Sequence, residues 1–475
     1  MLLSPCSKKK QLWPPVARPS SGIFPPVGRD GKSGLPFARR QEKVRSAQPF
    51  NSRRATLRVP APSRRAVLTG AAAMALSAPF ARAARAQPAT PPDTANRLKA
   101  ADAVRIELGG QSSIALFGES IPGPVLRVKR GAPFAVNVEN TIDAPLSLHW
   151  QGVRVPNAVD GVPGLTGSAI ANGETRGIAF TPPDAGTFLY RAFVPERASR
   201  SLVGAFIVEE AQPSPFSADL TLLVQAWSPD PTMTVPLLTV NGAVSPTLEA
   251  PAGGRARLRL VNASAQFLRL KMGDAPCFVL AVDGQPVQPF ALKDGRVQLT
   301  PGGRIDLTLD VGTADPIRLD VETTQLPIQL ALVVPVGAGS SAQGQALPAP
   351  EALPSNGLPE KIPLENAARF EVPLSGAASL SSFPSLGTVK PGQSVVLSLV
   401  NKLEVPVAVL LHGTPARLLD GVDDGWKPWW HDAIPVAPRT TVRAALVAGT
   451  AGKWAVIGQR GGDGAIVAAQ SYDVA

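Results

Sequence analysis

A chain of 475 residues with 50 prolines, 43 glycines and two cysteines has the length for several domains, and it must hold them together without a disulfide framework. Its formal net charge of +11 comes from the N-terminus, because the first 86 residues hold 17 of the 47 basic residues but two of the 36 acidic ones. Acidic residues outnumber basic ones in the remainder, so the charge is no argument for nucleic-acid binding and we expect no nucleic-acid partner.

The first 86 residues have the organisation of a leader. Residues 1–60 are rich in Pro, Ser and Arg without periodicity, which predicts either a disordered segment or an over-extended gene start. Arg64 and Arg65 then precede a short Ala-rich run, and residues 84–86 offer a small-residue cleavage site. This order resembles a twin-arginine export signal, so we expect the twin-arginine translocase as a partner and the periplasm as the location. The apolar run is too short to span a bilayer, and we expect no integral membrane segment in the mature chain.

Period-two alternation of apolar and polar residues, typical of half-buried strands, recurs through the rest of the chain between Pro- and Gly-rich turns. Clear examples are residues 134–140, 255–264 and 394–400. The sequence therefore predicts an all-β protein with domains at residues 95–210, 215–340 and 365–475. A stretch rich in small residues, Pro and Gln predicts a linker at 341–364.

Residues 146–164 contain His-Trp-Gln-Gly, from His149 to Gly152, followed by an Asp-Gly-Val-Pro turn. This stretch resembles the first copper motif of multicopper oxidases, which reads His-Trp-His-Gly. Pro-Gly-Pro at 122–124, Ala-Gly-Thr-Phe at 185–188, the Arg-rich strand at 255–264 and Gly-Lys-Trp at 452–454 resemble further motifs of the family in the same order. The resemblance covers residues 95–475 and implies three tandem cupredoxin-like Greek-key β-sandwich domains.

The copper-ligand positions implied by this resemblance hold few copper ligands. A blue copper site requires a thiolate and two imidazoles, and the family's oxygen-reducing cluster requires eight histidines. His149 and His412 remain, and the third domain contains no cysteine. The other positions are substituted by Gln151, Arg191, Phe193, Val407, Leu410, Ile457, Gly458 and Gln459. We therefore expect no bound cofactor and no catalytic residues, although copper is the cofactor of the family.

With these substitutions the chain resembles a copper-free branch of the family, which includes a division protein exported by the twin-arginine pathway. The resemblance implies a periplasmic protein that acts by binding or scaffolding, with envelope or division proteins as partners. One alternative is a multicopper oxidase-type oxidoreductase that tolerates the substitutions or uses another metal at His149 and His412. Another is an envelope stress or assembly factor unrelated to division.

Two of the three histidines are expected to be neighbours. If the family geometry holds, His149 and His412 face each other, either as a residual single-metal site or as two hydrogen-bonded histidines in a closed former pocket. His431 is predicted to be a surface residue at the end of a strand. Cys277 is predicted to be a small buried hydrophobe.

Three further features have two interpretations each. Arg191, Arg197 and Arg200 form a basic run, which is either a solvated loop or a contact for an anion or a partner. Trp426, Trp429 and Trp430 form either a loop packed over the sandwich or a partner-binding patch. Residues 420–425 loosely resemble a calcium-binding loop but lack its terminal Glu, which argues against calcium binding there.

Overall fold

The structure is a computed structural model that describes residues 96–104, 113–194, 201–228, 235–337, 347–419 and 426–475. The predicted leader and export signal at 1–86 lie outside these residues. Arg197, Arg200, residues 420–425 and the side chain of Trp426 lie outside them too. A search of the described residues for a helix with the length and apolar character of a membrane span finds none.

The predicted all-β class is confirmed, because the described residues form 29 strands and two single 3₁₀ turns, at Asn157–Val159 and Lys293–Gly295. The strands make six sheets, which pack in pairs around three hydrophobic cores. Among the described strands, each sheet contains one parallel pair beside its antiparallel pairs. Parallel neighbours need long crossover connections, as in Greek-key sandwiches of the cupredoxin type.

The first sandwich has an aromatic core that anchors the strand carrying the His-Trp-Gln motif. Its strands are β1 (Asn96–Val104), β2 (Ser113–Phe117), β3 (Leu126–Lys129), β4 (Phe134–Asn140), β5 (Ser147–Gln151), β6 (Thr175–Phe180), β7 (Gly186–Phe193) and β8 (Val203–Glu209). The sheets have the orders β2-β1-β4-β6 and β3-β8-β7-β5. Trp150 packs among Phe134, Phe180 and Phe206, with ring centroids 5.0 to 5.6 Å away. Because strand side chains alternate, Trp150 in this core directs His149 and Gln151 to the opposite face.

The second sandwich contains eleven strands. They are β9 (Ala218–Trp227), β10 (Leu237–Val240), β11 (Thr247–Pro251), β12 (Arg255–Asn262), β13 (Leu268–Lys271), β14 (Cys277–Val282), β15 (Gln285–Ala291), β16 (Arg296–Leu299), β17 (Arg304–Asp310), β18 (Ile317–Val321) and β19 (Ile328–Val336). Its sheets have the orders β10-β9-β12-β17-β14-β15 and β11-β19-β18-β13-β16. Cys277 is 4% exposed within this core, as predicted.

Strand β12 lacks the solvated polar face that its alternation predicts. Arg257 and Arg259 are 0% and 1% exposed. Arg257 donates to Asp306 and Arg259 to Asp219, both within the second sandwich, while Arg259 also donates to Thr187 of the first. The prediction of a half-buried strand is wrong here because another sandwich covers the polar face.

The third sandwich has a strand at Ser394–Asn401, where the sequence predicts one at 394–400. Its strands are β20 (Ala368–Leu374), β21 (Ser385–Val389), β22 (Ser394–Asn401), β23 (Val407–Leu411), β24 (Ala416–Leu419), β25 (Trp426–His431), β26 (Ala433–Val436), β27 (Thr441–Val447), β28 (Gly452–Arg460) and β29 (Ile466–Val474). The sheets have the orders β20-β22-β27-β24-β25 and β21-β29-β28-β23-β26.

The segment predicted as a linker contains no strand among its described residues, 347–364, but part of it is buried. Asn356 accepts a hydrogen bond from the Ala185 N–H at 2.9 Å and donates to the Ala185 carbonyl at 2.9 Å and to Gln285 at 3.0 Å. Ile362 is 3% exposed and packs with Trp430 on the third sandwich. This segment therefore contacts all three sandwiches.

Candidate functional site: a buried His-Asp-His triad

His149, Asp160 and His412 meet in a buried triad between the first and third sandwiches. His149 lies on β5, Asp160 follows the 3₁₀ turn at Asn157–Val159, and His412 directly follows β23. Their side chains are 2%, 1% and 1% exposed. The expectation that the two histidines are neighbours is met, and Asp160 is a third member that the sequence reasoning did not single out.

The carboxylate of Asp160 lies beside both imidazoles. His149 Nδ1 is 2.5 Å from Asp160 Oδ1, which also accepts the N–H of Trp150 at 3.2 Å. His412 Nδ1 is 3.5 Å from Asp160 Oδ2, an ion-pair distance without hydrogen-bond geometry. The two imidazole rings stack with centroids 3.8 Å apart and planes inclined by 21°.

Burial dominates the protonation of His149. It lowers the pKa of His149 to about 4, although the attraction of Asp160 raises it in part, and His412 lowers it further. Burial alone would raise the pKa of the Asp160 carboxyl, but His149 and His412 together bring that pKa below its usual value. At neutral pH the triad therefore contains a carboxylate beside a neutral His149.

Several atoms of the triad have no hydrogen-bond partner among the described residues. They are His149 Nε2, Asp160 Oδ2 and both ring nitrogens of His412. Leaving one such buried atom unpaired costs about 1–3 kcal/mol. One ligand atom from each residue lies within 4.8 Å of the others, and imidazole nitrogens with a carboxylate are typical ligands of a single zinc or similar ion.

Two of the substituted ligand positions, Arg191 and Phe193, lie on β7. Phe193 stacks on His149 and His412, with ring centroids 5.9 and 6.3 Å away. Arg191 is partly buried, and burial together with nearby Arg304 lowers its pKa to about 10, so it stays protonated at neutral pH. Its position on a strand rules out the solvated-loop interpretation for this residue.

Gln151 belongs to a buried polar network at the junction of the three sandwiches. Its amide nitrogen donates to the Gly302 carbonyl at 2.8 Å and lies 3.4 Å from Asp432 Oδ1. Arg304 binds both oxygens of Asp432, at 2.6 and 2.5 Å, and lies 3.8 Å from Asp283 Oδ1. Neither Arg304 nor Asp432 is among the residues predicted from the sequence to have a role, because no local signal pairs residues so far apart in the chain.

The substituted positions of the third sandwich are mostly apolar. Leu410 and Ile457 pack with Phe193 in an apolar cluster that also contains Val162, Ala433 and Ala455. Val407 belongs to the core of the third sandwich. Gly458 and Gln459 lie on β28, paired with Val409 and Ala408 of β23.

His431 lies at the end of β25, as predicted, but not on the surface. Its side chain is 13% exposed, and its Nδ1 is 3.3 Å from Asp283 Oδ2 of the second sandwich. The prediction of surface exposure is wrong because the second sandwich covers this end of the strand.

The described tryptophan side chains of the predicted aromatic group pack against the protein. Trp429 stacks on Phe290 with centroids 5.2 Å apart, and Trp430 is 9% exposed with Arg417 over its ring. These two side chains pack against the protein as that interpretation predicts, but the prediction of a loop is wrong because both residues lie on strand β25.

Comparison with known proteins gives one consistent result. The sequence profile described as multicopper oxidase matches residues 100–213. Multicopper oxidase MmcO of Mycobacterium tuberculosis is 24% identical over 419 residues, covering 74% of this chain and 81% of the relative. Copper resistance protein A of Pseudomonas syringae pv. tomato is 33% identical over 109 residues, covering 23% of this chain and 18% of that protein.

Solved structures agree with the sequence matches over most of the chain. The crystal structure of a multi-copper oxidase from Pseudomonas thermotolerans superimposes with a TM-score of 0.68 at 28% identity, covering 80% of this chain and 98% of that one. Lac15 from a marine microbial metagenome superimposes with a TM-score of 0.68 at 27% identity. In fold and in sequence, the chain is similar to multicopper oxidases.

Proposed function

We propose that this chain is a copper-free relative of the multicopper oxidases. It acts by binding or scaffolding other proteins in the cell envelope and does not reduce dioxygen. The observation that carries the proposal is the apolar cluster of Phe193, Leu410 and Ile457 between the first and third sandwiches. The family resemblance places three copper ligands at these positions, and none of the three side chains has a donor atom for copper.

The rest of the donor set supports the same proposal. The whole sequence contains three histidines, whereas a four-copper centre requires ten imidazoles and a thiolate. Cys277 is buried in the second sandwich, and burial raises the pKa of its thiol to about 12, so it supplies no thiolate at neutral pH. Arg191 is a permanent cation at a ligand position and repels a metal ion.

The twin-arginine-like leader supports export to the periplasm. Envelope or division proteins are the partners we propose, by analogy with the copper-free branch. A fluorescent fusion separates the alternatives: enrichment at the division septum favours a division role, and a uniform envelope signal favours a stress or assembly factor.

Copper reconstitution tests the central claim. The mature protein and the multi-copper oxidase from Pseudomonas thermotolerans are expressed with excess copper, purified side by side and compared by elemental analysis, visible absorption and oxygen uptake with a phenol. We expect at most one metal ion per chain, no intense blue band and no oxygen uptake from this protein. Several copper ions per chain together with oxygen consumption would contradict the proposal.

A second candidate function requires one divalent metal ion bound at the triad. Such a metalloprotein could be an oxidoreductase, as the similarity of the chain to multicopper oxidases suggests. The unpartnered atoms of His149, Asp160 and His412 favour this candidate. His149 and His412 would supply imidazole nitrogens and Asp160 a carboxylate oxygen, and the ion would supply Lewis acidity or redox chemistry. Calorimetric titration with Zn²⁺ and Cu²⁺ should then show one site that Asp160→Asn weakens at least about tenfold.

Asp274→Asn is the matched control for that titration, since the Asp274 side chain is fully exposed and remote from the triad. Equal affinities for the Asp160→Asn variant and the wild type would place the ion elsewhere. An ion bound at the triad without turnover of a phenol would support the binding function, and turnover would support the oxidoreductase.

A further inference from the structure

A cavity of about 790 Å³ opens where residues of the three sandwiches meet. Strand β7 lines it from the first sandwich, residues 263–265 from the second, and residues 378–381 and 463–466 from the third. The triad does not line this cavity. Phe193 separates them, because it lines the cavity and also stacks on both imidazoles.

The walls of the cavity are largely apolar, with Phe193, Val194, Val203, Leu380 and Ile466 among the lining residues. Its volume and lining are those of a small-molecule site, which is usually an apolar cleft of about 300–1,000 Å³ with few polar groups. A ligand with an apolar body would therefore bury most of its surface here.

Among the described residues, two charged side chains line the cavity, Arg191 and Asp463, and they differ in their partners. Asp463 is paired with Arg460 at 3.0 Å and accepts the N–H of Ala465 at 3.1 Å. The side chain of Arg191 has no hydrogen bond or ion pair within the described part of the chain, and its Nε is enclosed without an acceptor. The terminal nitrogens are the accessible part of its guanidinium group.

A protonated guanidinium group in such a place is unfavourable without a counter-ion. The nearby carboxylate of Asp432 attracts Arg191, but both of its oxygens are bound by Arg304, whose charge repels Arg191. A carboxylate matches the planar fork of a guanidinium group with two parallel hydrogen bonds. An anion that enters the cavity would thus supply the counter-ion that the described residues do not provide for Arg191.

We propose that this cavity binds an amphipathic monocarboxylate, with the carboxylate on Arg191 and the apolar chain against Phe193 and Leu380. The proposal rests on the copper-free part of the proposed function, because a metal ion coordinated at positions 191 and 193 would require other residues there. It does not depend on the protein partner.

Calorimetric titration of the purified protein with decanoate tests the proposal, with decanol as the uncharged ligand of the same length. We expect decanoate to bind at least tenfold more tightly than decanol. Arg191→Gln should weaken decanoate binding at least tenfold and leave decanol binding unchanged. Arg318→Gln is the matched control, since Arg318 is exposed on the second sandwich and should not affect either ligand.

A cavity-filling variant keeps the test decisive if Arg191→Gln fails to fold. Ala378→Trp places a large side chain at the cavity wall and should weaken both ligands, with circular dichroism confirming the fold. Equal affinities of the wild type for decanoate and decanol, or unchanged decanoate binding by folded Arg191→Gln or Ala378→Trp, would overturn the proposal. Copper content measured on the same sample distinguishes failure of the proposed function from failure of this inference. A copper-loaded protein contradicts the proposed function. A copper-free protein that does not bind decanoate contradicts this inference alone.

Discussion

Arg304 is a single residue at which contacts from all three sandwiches converge. It is 0% exposed and donates to the Thr187 carbonyl of the first sandwich at 3.3 Å, to the Asp283 carbonyl of the second at 3.0 Å and to Asp432 of the third. Removing one partner of a buried ion pair costs more than the pair contributes, because it leaves a charge buried without compensation.

Arg304→Met should therefore lower the free energy of unfolding by about 3–5 kcal/mol, because Asp432 and Asp283 would stay buried without their cation. Urea unfolding followed by tryptophan fluorescence measures the change. Arg318→Met, at an exposed pair with Asp320, should change it by less than about 1 kcal/mol. Similar losses for the two variants would mean that burial of the Arg304 pair is unimportant.

His149 gives the metal-free protein a specific dependence on pH. The pKa of His149 is about 4 in the folded protein and about 6.5 in an unfolded chain, so the unfolded state binds more protons between these values. Stability should therefore fall as the pH falls from about 6.5 to 4. The lowered pKa of Asp160 adds its own loss at still lower pH.

Urea unfolding at a series of pH values, with a chelator present, measures this dependence. His149→Gln should flatten the curve between pH 6.5 and 4, because its side chain does not titrate. If the slope in this interval is the same in the variant and the wild type, another group is responsible.

At the scale of single elements, the segment at 347–364 is held against the sandwiches and is not a free linker. Asn356 is 5% exposed, and its amide satisfies the backbone of Ala185 on the first sandwich and the side chain of Gln285 on the second. A polar side chain can hold a segment in this way because buried backbone groups need partners.

Asn356→Ala should loosen the attachment of this segment to the first sandwich. The substitution leaves the N–H and carbonyl of Ala185 without their partners, at a cost of about 1–3 kcal/mol. Hydrogen exchange across residues 347–364 should become faster, while the core strands keep their protection. Asn366→Ala is the matched control, since Asn366 is exposed. Unchanged exchange in Asn356→Ala would show that other contacts, such as the packing of Ile362 and the hydrogen bond from Arg130 to the Ser355 carbonyl, hold the segment without the Asn356 amide.

Strand pairing also explains why the substituted positions affect one another. In the register of β5 and β7, His149 lies opposite Arg191, and Gln151 opposite Leu189. A cation opposite His149 helps to lower its pKa, after the larger effects of burial and His412. Substitutions at two separate sequence motifs thus both affect the surroundings of His149.

At the scale of the whole molecule, the sandwiches share apolar interfaces. Phe193, Leu410 and Ile457 join the first and third, and Leu189, Val203 and Leu223 join the first and second. Interfaces of this kind couple the unfolding of neighbouring domains, because one domain cannot unfold without exposing apolar surface on the next.

Calorimetry should therefore show one cooperative transition for residues 96–475. Leu410→Ala, at a side chain 3% exposed, should lower the stability of that single transition by about 2–5 kcal/mol. Val405→Ala nearby, at a residue 37% exposed, should change it by about 0.5 kcal/mol or less. Two separate transitions, of which Leu410→Ala moves one, would contradict coupling between the sandwiches.

The sequence by itself determined the all-β class, because period-two alternation and Pro/Gly turns are local signals, and it determined which donor atoms the chain owns. Beyond residue 86 the chain contains three histidines and one cysteine, and no fold can provide more imidazole or thiolate ligands than these. Only the tertiary structure decided that Asp160 joins His149 and His412, that Arg257 and Arg259 face another sandwich, and that Asn356 and His431 are covered. Each of these depends on which sheet packs against which, and packing between distant segments leaves no local pattern in the chain.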